Sequence, residues 1–540
     1  MFGRSDRGYS WSPDSRSIVY LETDESGVGV VTFVDFKPNV PKVIQQRYPK
    51  TGEANPRVRA GVVEIDSGET TWIDLGVYPY EYLVRAEWLP DGKRVAVQTL
   101  DRSQTKLDLF LADAEDGSVR HVLRETDEGW VNLHDDLYFL DDGRFLWASE
   151  RDGYNHLYVY DAEGKAATPV TKGEWAVRAS ASVFWLRQTV PHIDAKNDWI
   201  YFTALEKSSI EKHLYRIRMD GTRMKRLSRQ DGTHSVKFSK DGNYYLDAHS
   251  AMDRLPALTL HSADGKRLHT VWESRGEPLE LFDLPPRELF EIETEDGFKM
   301  PATMVKPRDF DAKKKYPVVI YVYGGPSAPT VGNAWGSRPR DYFEQILAEE
   351  GFIALRVDNR SATARSKKLE NLILNEGYGT TELSDLLEAV KWLKARPFVD
   401  PERVGIWGWS GGGSFTLLAL TSSKEFRAGI AVAAVTDWHY YDTKWAEAFM
   451  KRPQDNPDGY VATSHAERAK ELHGRLLLVH GTNDDNVHPQ NAWRFADELI
   501  DAGITFDMMI YPMRKHGIRD DPAQKHLYAT MMEFWKRNLR

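Results

Sequence analysis

Ser410 stands in Gly408-Trp409-Ser410-Gly411-Gly412, directly after the apolar run Val404-Gly405-Ile406-Trp407. The run reads as a buried strand. The residues after Gly413 (Ser414, Phe415, Thr416, Leu417, Leu418, Ala419, Leu420) read as a helix that begins near Gly413. A serine on the sharp turn between the two is forced above the sheet with its hydroxyl exposed, and small neighbours are needed because backbone passes close by. A hydroxyl is a poor nucleophile without an adjacent base, and the base needs an acid to orient it. Two downstream loops supply candidates. A strand ending at Val479 opens into His480-Gly481-Thr482-Asn483-Asp484-Asp485-Asn486-Val487-His488, and the next, ending at Tyr511, opens into Pro512-Met513-Arg514-Lys515-His516-Gly517. The chain order serine, acid, histidine is that of an α/β-hydrolase. His516 is the expected base, since His480 lies on a strand and His488 shares the acid's loop. Asp484 is the expected acid. Asp485 is its rival, and sequence alone does not separate adjacent aspartates. The backbone N–H of Gly411 is one expected oxyanion donor. The other is expected from Tyr323-Gly324-Gly325-Pro326, with the Tyr323 hydroxyl as candidate.

These loops need a parallel sheet beneath them. Beyond Pro285-Pro286, strands such as Tyr316–Tyr323, Phe352–Val357 and Arg475–His480 alternate with helical stretches such as Leu383–Leu393, so residues 286–540 are expected to form an α/β-hydrolase domain. Residues 1–285 read differently. Trp11-Ser12-Pro13-Asp14-Ser15, Trp88-Leu89-Pro90-Asp91-Gly92, Phe139-Leu140-Asp141-Asp142-Gly143 and Phe238-Ser239-Lys240-Asp241-Gly242 each lead into an aromatic or β-branched run, and Trp199-Ile200-Tyr201-Phe202 is a weaker copy. Units recurring roughly every 40–60 residues are the mark of propeller blades. About five are legible, and the one spanning Val31 to Asp74 carries a long insert. The fold class is therefore two-domain: an N-terminal β-propeller, apparently incomplete, and a C-terminal α/β-hydrolase. A pair of β-sandwiches is the competing reading of the first half.

Composition narrows the chemistry. The 540 residues include no cysteine, which excludes disulfides, thiolate metal sites and a cysteine nucleophile. The net charge of −10 and the lack of a basic cluster give no nucleic-acid surface. No stretch approaches the ~20 apolar residues of a membrane span. Met1-Phe2-Gly3-Arg4-Ser5-Asp6-Arg7 holds no apolar signal core, so the chain as written is expected to be cytoplasmic. An upstream signal segment would make it periplasmic or secreted.

The propeller-like half, Tyr323-Gly324-Gly325-Pro326, Gly408–Gly412, the His480–Val487 loop and His516-Gly517 together resemble the prolyl oligopeptidase family of serine peptidases, in particular its dipeptidyl peptidase IV branch. The resemblance spans nearly the whole chain. It implies a triad of Ser410, Asp484 and His516, with Tyr323 donating to the oxyanion. It implies that Asn486 binds the carbonyl of the substrate's second residue. Val435, Trp438, Tyr441 and Val487 would form a pocket for proline or alanine, with Trp445 where a tyrosine is usual. Read without the family, Trp438, Tyr440, Tyr441 and Trp445 are an aromatic cluster at helical spacing, which is more often core. The expected activity is hydrolysis of short peptides with no metal or organic cofactor. The expected partners are peptide substrates and, as a candidate, a second copy of the chain. An acylaminoacyl peptidase or esterase with the same triad is one alternative, and a propeller interaction module with an idle hydrolase is another.

Two departures stand out. The residue after the nucleophile is usually tyrosine in this branch and here is Gly411, which is expected to loosen the pocket. The family's pair of amine-binding glutamates, expected just before a stretch similar to Phe2–Asp14, is not in the chain. The only adjacent glutamates, Glu349-Glu350, read as a solvated helix face. Five units against the family's eight blades carry the expectation that N-terminal blades lie upstream of this chain, the rival being a genuine short form with a smaller or open ring.

Overall fold

In the computed structural model the described residues are 8–76, 78–178, 186–276 and 284–540; Phe2–Arg7 and Leu281 lie outside them. The first half forms five four-stranded antiparallel sheets in chain order, over residues 9–72, 82–126, 137–169, 192–226 and 233–273. Asp-Gly turns close the hairpins, with Gly92, Gly143 and Gly242 at φ of 66°, 86° and 70°, a region β-carbon-bearing residues avoid. Each apolar cluster lies between neighbouring sheets. Val19, Ala60 and Val62 of the first meet Leu83, Val95 and Phe110 of the second, and Leu146 and Val159 of the third meet Ile200, Phe202 and Tyr215 of the fourth. Face-to-face stacking of short sheets is how blades bury surfaces that none could bury alone.

The insert in the first unit is a hairpin of its own. Val30–Asp35 pairs with Lys42–Arg47, while the strands on either side, Ser17–Asp24 and Arg57–Glu64, pair with each other. The hairpin thus leaves the blade, and Phe33 and Gln46 on its strands, with Tyr48 just after it, reach the other domain.

The second half is one eight-stranded sheet: β1 (Arg287–Glu293), β2 (Lys299–Val305), β3 (Tyr316–Tyr321), β4 (Ile353–Val357), β5 (Val399–Trp409), β6 (Ala428–Val432), β7 (Arg475–Gly481) and β8 (Asp507–Tyr511). Their spatial order is β1-β2-β4-β3-β5-β6-β7-β8. β1 and β2 are antiparallel, and β4 through β8 run parallel. Alternation along the strands splits the core in two. Val318, Ile320 and Ile406 pack toward helices Thr380–Lys394 and Gly411–Ser422 on one face. Val319, Tyr321 and Trp407 pack toward Pro339–Glu349 and Asp521–Leu539 on the other. No helix among the described residues is long and apolar enough to cross a membrane.

Candidate active site

The site is built on the carboxyl ends of β3, β5, β7 and β8. β5 runs straight into Ser410, which adopts φ 59° and ψ −123°, a conformation rare for a residue with a β-carbon. The helix starts at Gly411, two residues earlier than the sequence pattern suggested, because the turn enters it without a spacer. Small neighbours make the turn possible. A β-carbon on Gly408 would lie 2.2 Å from the Gly412 carbonyl oxygen, and one on Gly412 would lie 2.3 Å from that of Val322. The Ser410 N–H donates to the Val432 oxygen at 2.8 Å, which anchors the turn to β6. Gly411 is the first helical residue, so its N–H has no intrahelical acceptor.

His516 follows β8, and its Nδ1 donates to Asp484 Oδ2 at 2.8 Å. Asp484 is fully buried after β7. Its other oxygen accepts the backbone N–H groups of Asn486 at 3.1 Å and Val487 at 2.9 Å. Burial pushes this carboxyl up, but hydrogen bonds from His480 and His516 outweigh it and hold it down at about 2. Asp485 points away and pairs with the exposed Lys515, so geometry separates two aspartates the sequence could not. His480 is fully buried, donates to the Val487 oxygen at 2.8 Å and stands 3.4 Å from Asp484. His488 is buried against Phe33 and Tyr48 of the propeller insert. The histidine loop is tied to the other two loops: Trp409 Nε1 donates to the His516 oxygen at 2.9 Å and Met513 N to Thr482 Oγ1 at 2.8 Å.

Ser410, Gly411, His516, Tyr323 and Asn486 line one cavity of about 330 Å³ together with Val435, Trp438, Tyr441 and Trp445. Tyr323 sits on the loop just past the end of β3, and burial pushes its hydroxyl up to about 12, so it stays a donor. Trp438 stacks on Trp445 with centroids 5.2 Å apart, and Tyr441 meets Trp445 edge-on at 5.4 Å. The Tyr441 hydroxyl donates to Asn486 Oδ1 at 2.9 Å, which leaves the amide NH₂ free to donate. Val487 is not among the lining residues. It is fully buried in the hydrolase core, with its backbone committed to Asp484 and His480.

Three features escaped the sequence reading. Arg340 lines the cavity and donates to the Tyr321 hydroxyl at 2.6 Å. Tyr378 fills the space beside Gly411. A β-carbon at 411 would lie 1.9 Å from the Tyr378 hydroxyl, which is buried without a partner, and the ring stacks on Trp438 at 6.1 Å. The bare position is thus occupied from outside, not left open. The third feature is propeller support. Thr51 N donates to the Tyr441 oxygen and Thr51 Oγ1 to the Trp438 oxygen, both at 3.0 Å. Arg102 grips Glu447 with both ends of its guanidinium at 2.9 and 2.8 Å. Tyr48 OH donates to the Asn486 oxygen at 2.9 Å, and Gln46 Nε2 to that of Asp485 at 3.1 Å. A short segment at residues 46–51 carries four of these six contacts, and only its proximity to the insert hinted at them.

Comparison with known proteins agrees with this architecture. Residues 2–256 match the "Dipeptidyl peptidase IV (DPP IV) N-terminal region" and residues 341–540 the "Prolyl oligopeptidase family". Dipeptidyl peptidase 4 of Trichophyton equinum is 31% identical over 97% of this chain and 70% of its own length. The chain belongs to the prolyl oligopeptidase family, in its dipeptidyl peptidase IV branch. It is a serine-type peptidase with a propeller and an α/β-hydrolase domain. Dipeptidyl peptidase 8 of Mus musculus is 30% identical over 98% of this chain and 68% of that protein. The crystal structure of Porphyromonas gingivalis dipeptidyl peptidase 4 superposes with a TM-score of 0.92 at 31% identity, covering all of this chain and 75% of that one.

Proposed function

We propose that Ser410, His516 and Asp484 are the catalytic triad of a peptidase that cleaves short peptides after proline or alanine. The observation that carries this is the Asp484–His516 hydrogen bond at the edge of the cavity that also holds Ser410 on its strained turn. Ser410 Oγ attacks the scissile carbonyl while His516 Nε2 takes its proton. Asp484, ionised and bonded to Nδ1, fixes the ring and stabilises its charged form. The Gly411 N–H and the Tyr323 hydroxyl receive the oxyanion. His516 returns the proton to the leaving amine, and water then hydrolyses the acyl-enzyme. The Asn486 amide holds the carbonyl of the second substrate residue. Val435, Trp438, Tyr441 and Trp445, with Tyr378 stacked behind Trp438, form a small apolar pocket suited to a proline ring.

The described residues lining the cavity include no carboxylate. Glu349 and Glu350 are spent elsewhere, on Arg308 and on Lys536 and Arg540. Preference for a free α-amine is therefore expected to be weak in this 540-residue chain. Ala-Pro and N-acetyl-Ala-Pro conjugates of one fluorophore should be cleaved within about tenfold of each other in kcat/KM, a gap of about 1.4 kcal/mol; strict rejection of the blocked conjugate refutes weak amine selection. A second copy of the chain is proposed as partner on the exposed apolar hairpin bearing Phe36, Val40 and Val43, which sedimentation reads directly.

A further inference from the structure

The fifth blade holds a cluster that peptide hydrolysis does not use. His234 lies on strand Thr233–Phe238 directly opposite His249 on Tyr244–Ala251, and Asp247 lies two residues before His249, on the same face. All three side chains are buried, 2%, 7% and 3% exposed in the order His234, His249, Asp247. One nitrogen or oxygen from each falls within a sphere of mutual approach of 4.8 Å. They border a cavity of about 340 Å³ that is also lined by Thr259 and His261.

The hydrogen bonding of this cluster does not close. His234 Nε2 faces the Gln230 carbonyl oxygen at 3.0 Å, and its Nδ1 faces Asp247 Oδ2 at 2.8 Å. A neutral imidazole has a single N–H. With Nε2–H on the carbonyl, the Nδ1 contact with the carboxylate oxygen closes only if Nδ1 carries a second proton or both atoms bind a cation. The other Asp247 oxygen and the Nδ1 atoms of His249 and His261 are buried and make no well-formed hydrogen bond among the described residues. Buried polar atoms in native proteins are nearly always satisfied. Lone pairs converging from three side chains in one place call for a positive centre between them. A ring whose far nitrogen donates to a backbone carbonyl is also how metal-bound histidines are commonly oriented.

We propose that His234, Asp247 and His249 bind a divalent transition-metal ion of the zinc class, which cross-links the first two strands of the fifth blade. Two imidazoles and a carboxylate suit zinc, cobalt or nickel, with water in the open positions. Donors on a tetrahedral zinc ion lie roughly 3.3 Å apart, so the side chains need to close by only about an ångström or so.

The test is metal retention by the purified 540-residue chain. The protein is stripped with chelator, exposed to Zn²⁺, passed through a desalting column and assayed by plasma mass spectrometry. About one equivalent should remain on the wild type and less than about a tenth on Asp247→Asn or His249→Gln. Peptidase activity of both variants should stay within about threefold of wild type, which also certifies folding. In the wild type Co²⁺ should give visible d–d absorption that Zn²⁺ displaces one for one, a reading that needs no variant. Failure of the wild type to retain metal, absence of the Co²⁺ bands, or unchanged retention in both folded variants overturns the proposal.

Discussion

The loops of the proposed triad and the wall of the proposed pocket are held in different ways. Ser410 and His516 sit on loops bonded within the hydrolase domain, Ser410 to Val432, Trp409 to His516 and Met513 to Thr482, while the Asp484 loop also takes bonds from Gln46 and Tyr48 of the propeller. The wall from Trp438 to Glu447 leans on the other domain, through Thr51, Arg102 and Gln104. The proposed triad's side-chain bonds are therefore internal to one domain, while the proposed pocket wall and the far side of the acid loop are braced across the boundary. Damage to the loops should appear in kcat, and damage to the brace in KM and selectivity.

The sharpest break on the loop side is Ser410→Ala, expected to lower kcat by about 10⁴-fold or more with KM nearly unchanged, read by steady-state kinetics. Asp484→Asn should cost about 10³–10⁴-fold by leaving His516 with a mispaired ring nitrogen. It should also alter acid stability. A carboxyl held at about 2 against an ordinary 3.8 contributes stability that is full above roughly pH 4 and lost as pH falls through 2. The variant's denaturation midpoint should therefore fall less steeply than that of the wild type over this window, the difference amounting to about 2 kcal/mol. Parallel acid curves would show that the carboxylate's bonds do not stabilise the fold.

On the brace side, Arg102→Met leaves the Glu447 carboxylate, 1% exposed, without its main counter-charge. It should destabilise by about 3 kcal/mol and raise KM by about tenfold, with kcat changed by less than about threefold. An equal fall in kcat would mean that the wall also positions the reacting carbonyl. The smallest effect is expected from Tyr378→Phe. It removes only an unpartnered buried hydroxyl, so kcat/KM should stay within about threefold and stability should hold or rise slightly. A drop beyond tenfold would show that this hydroxyl touches the substrate.

The same contrast explains what could be read from residue order. Gly408–Gly412, the acid loop and His516 were legible because strand, turn and helix are local patterns and each loop follows its own strand. The blades were legible through their Asp-Gly turns, and Trp199–Ala204 proved to be a full strand of the fourth blade although its copy was weak. Asp484 and Asp485 were inseparable because the difference lies in where Lys515 reaches. Val487 was placed in the pocket by resemblance, whereas its backbone bonds to Asp484 and His480 draw it into the core. Tyr378 and Gly411 are 33 positions apart, and nothing in either segment announces that one fills the space of the other. The support from Gln46, Tyr48 and Thr51 spans 387 to 439 positions, beyond any periodicity.

One segment of propeller, residues 46–52, bonds both to the Asp485-Asn486 backbone and to the Trp438–Tyr441 turn. Anyone grafting this hydrolase onto a sister enzyme's rotor would have to transplant that strip as well. A chimera that respected only the boundary in sequence would keep all three proposed triad residues and lose the jig that steadies both the acid loop and the aromatic wall.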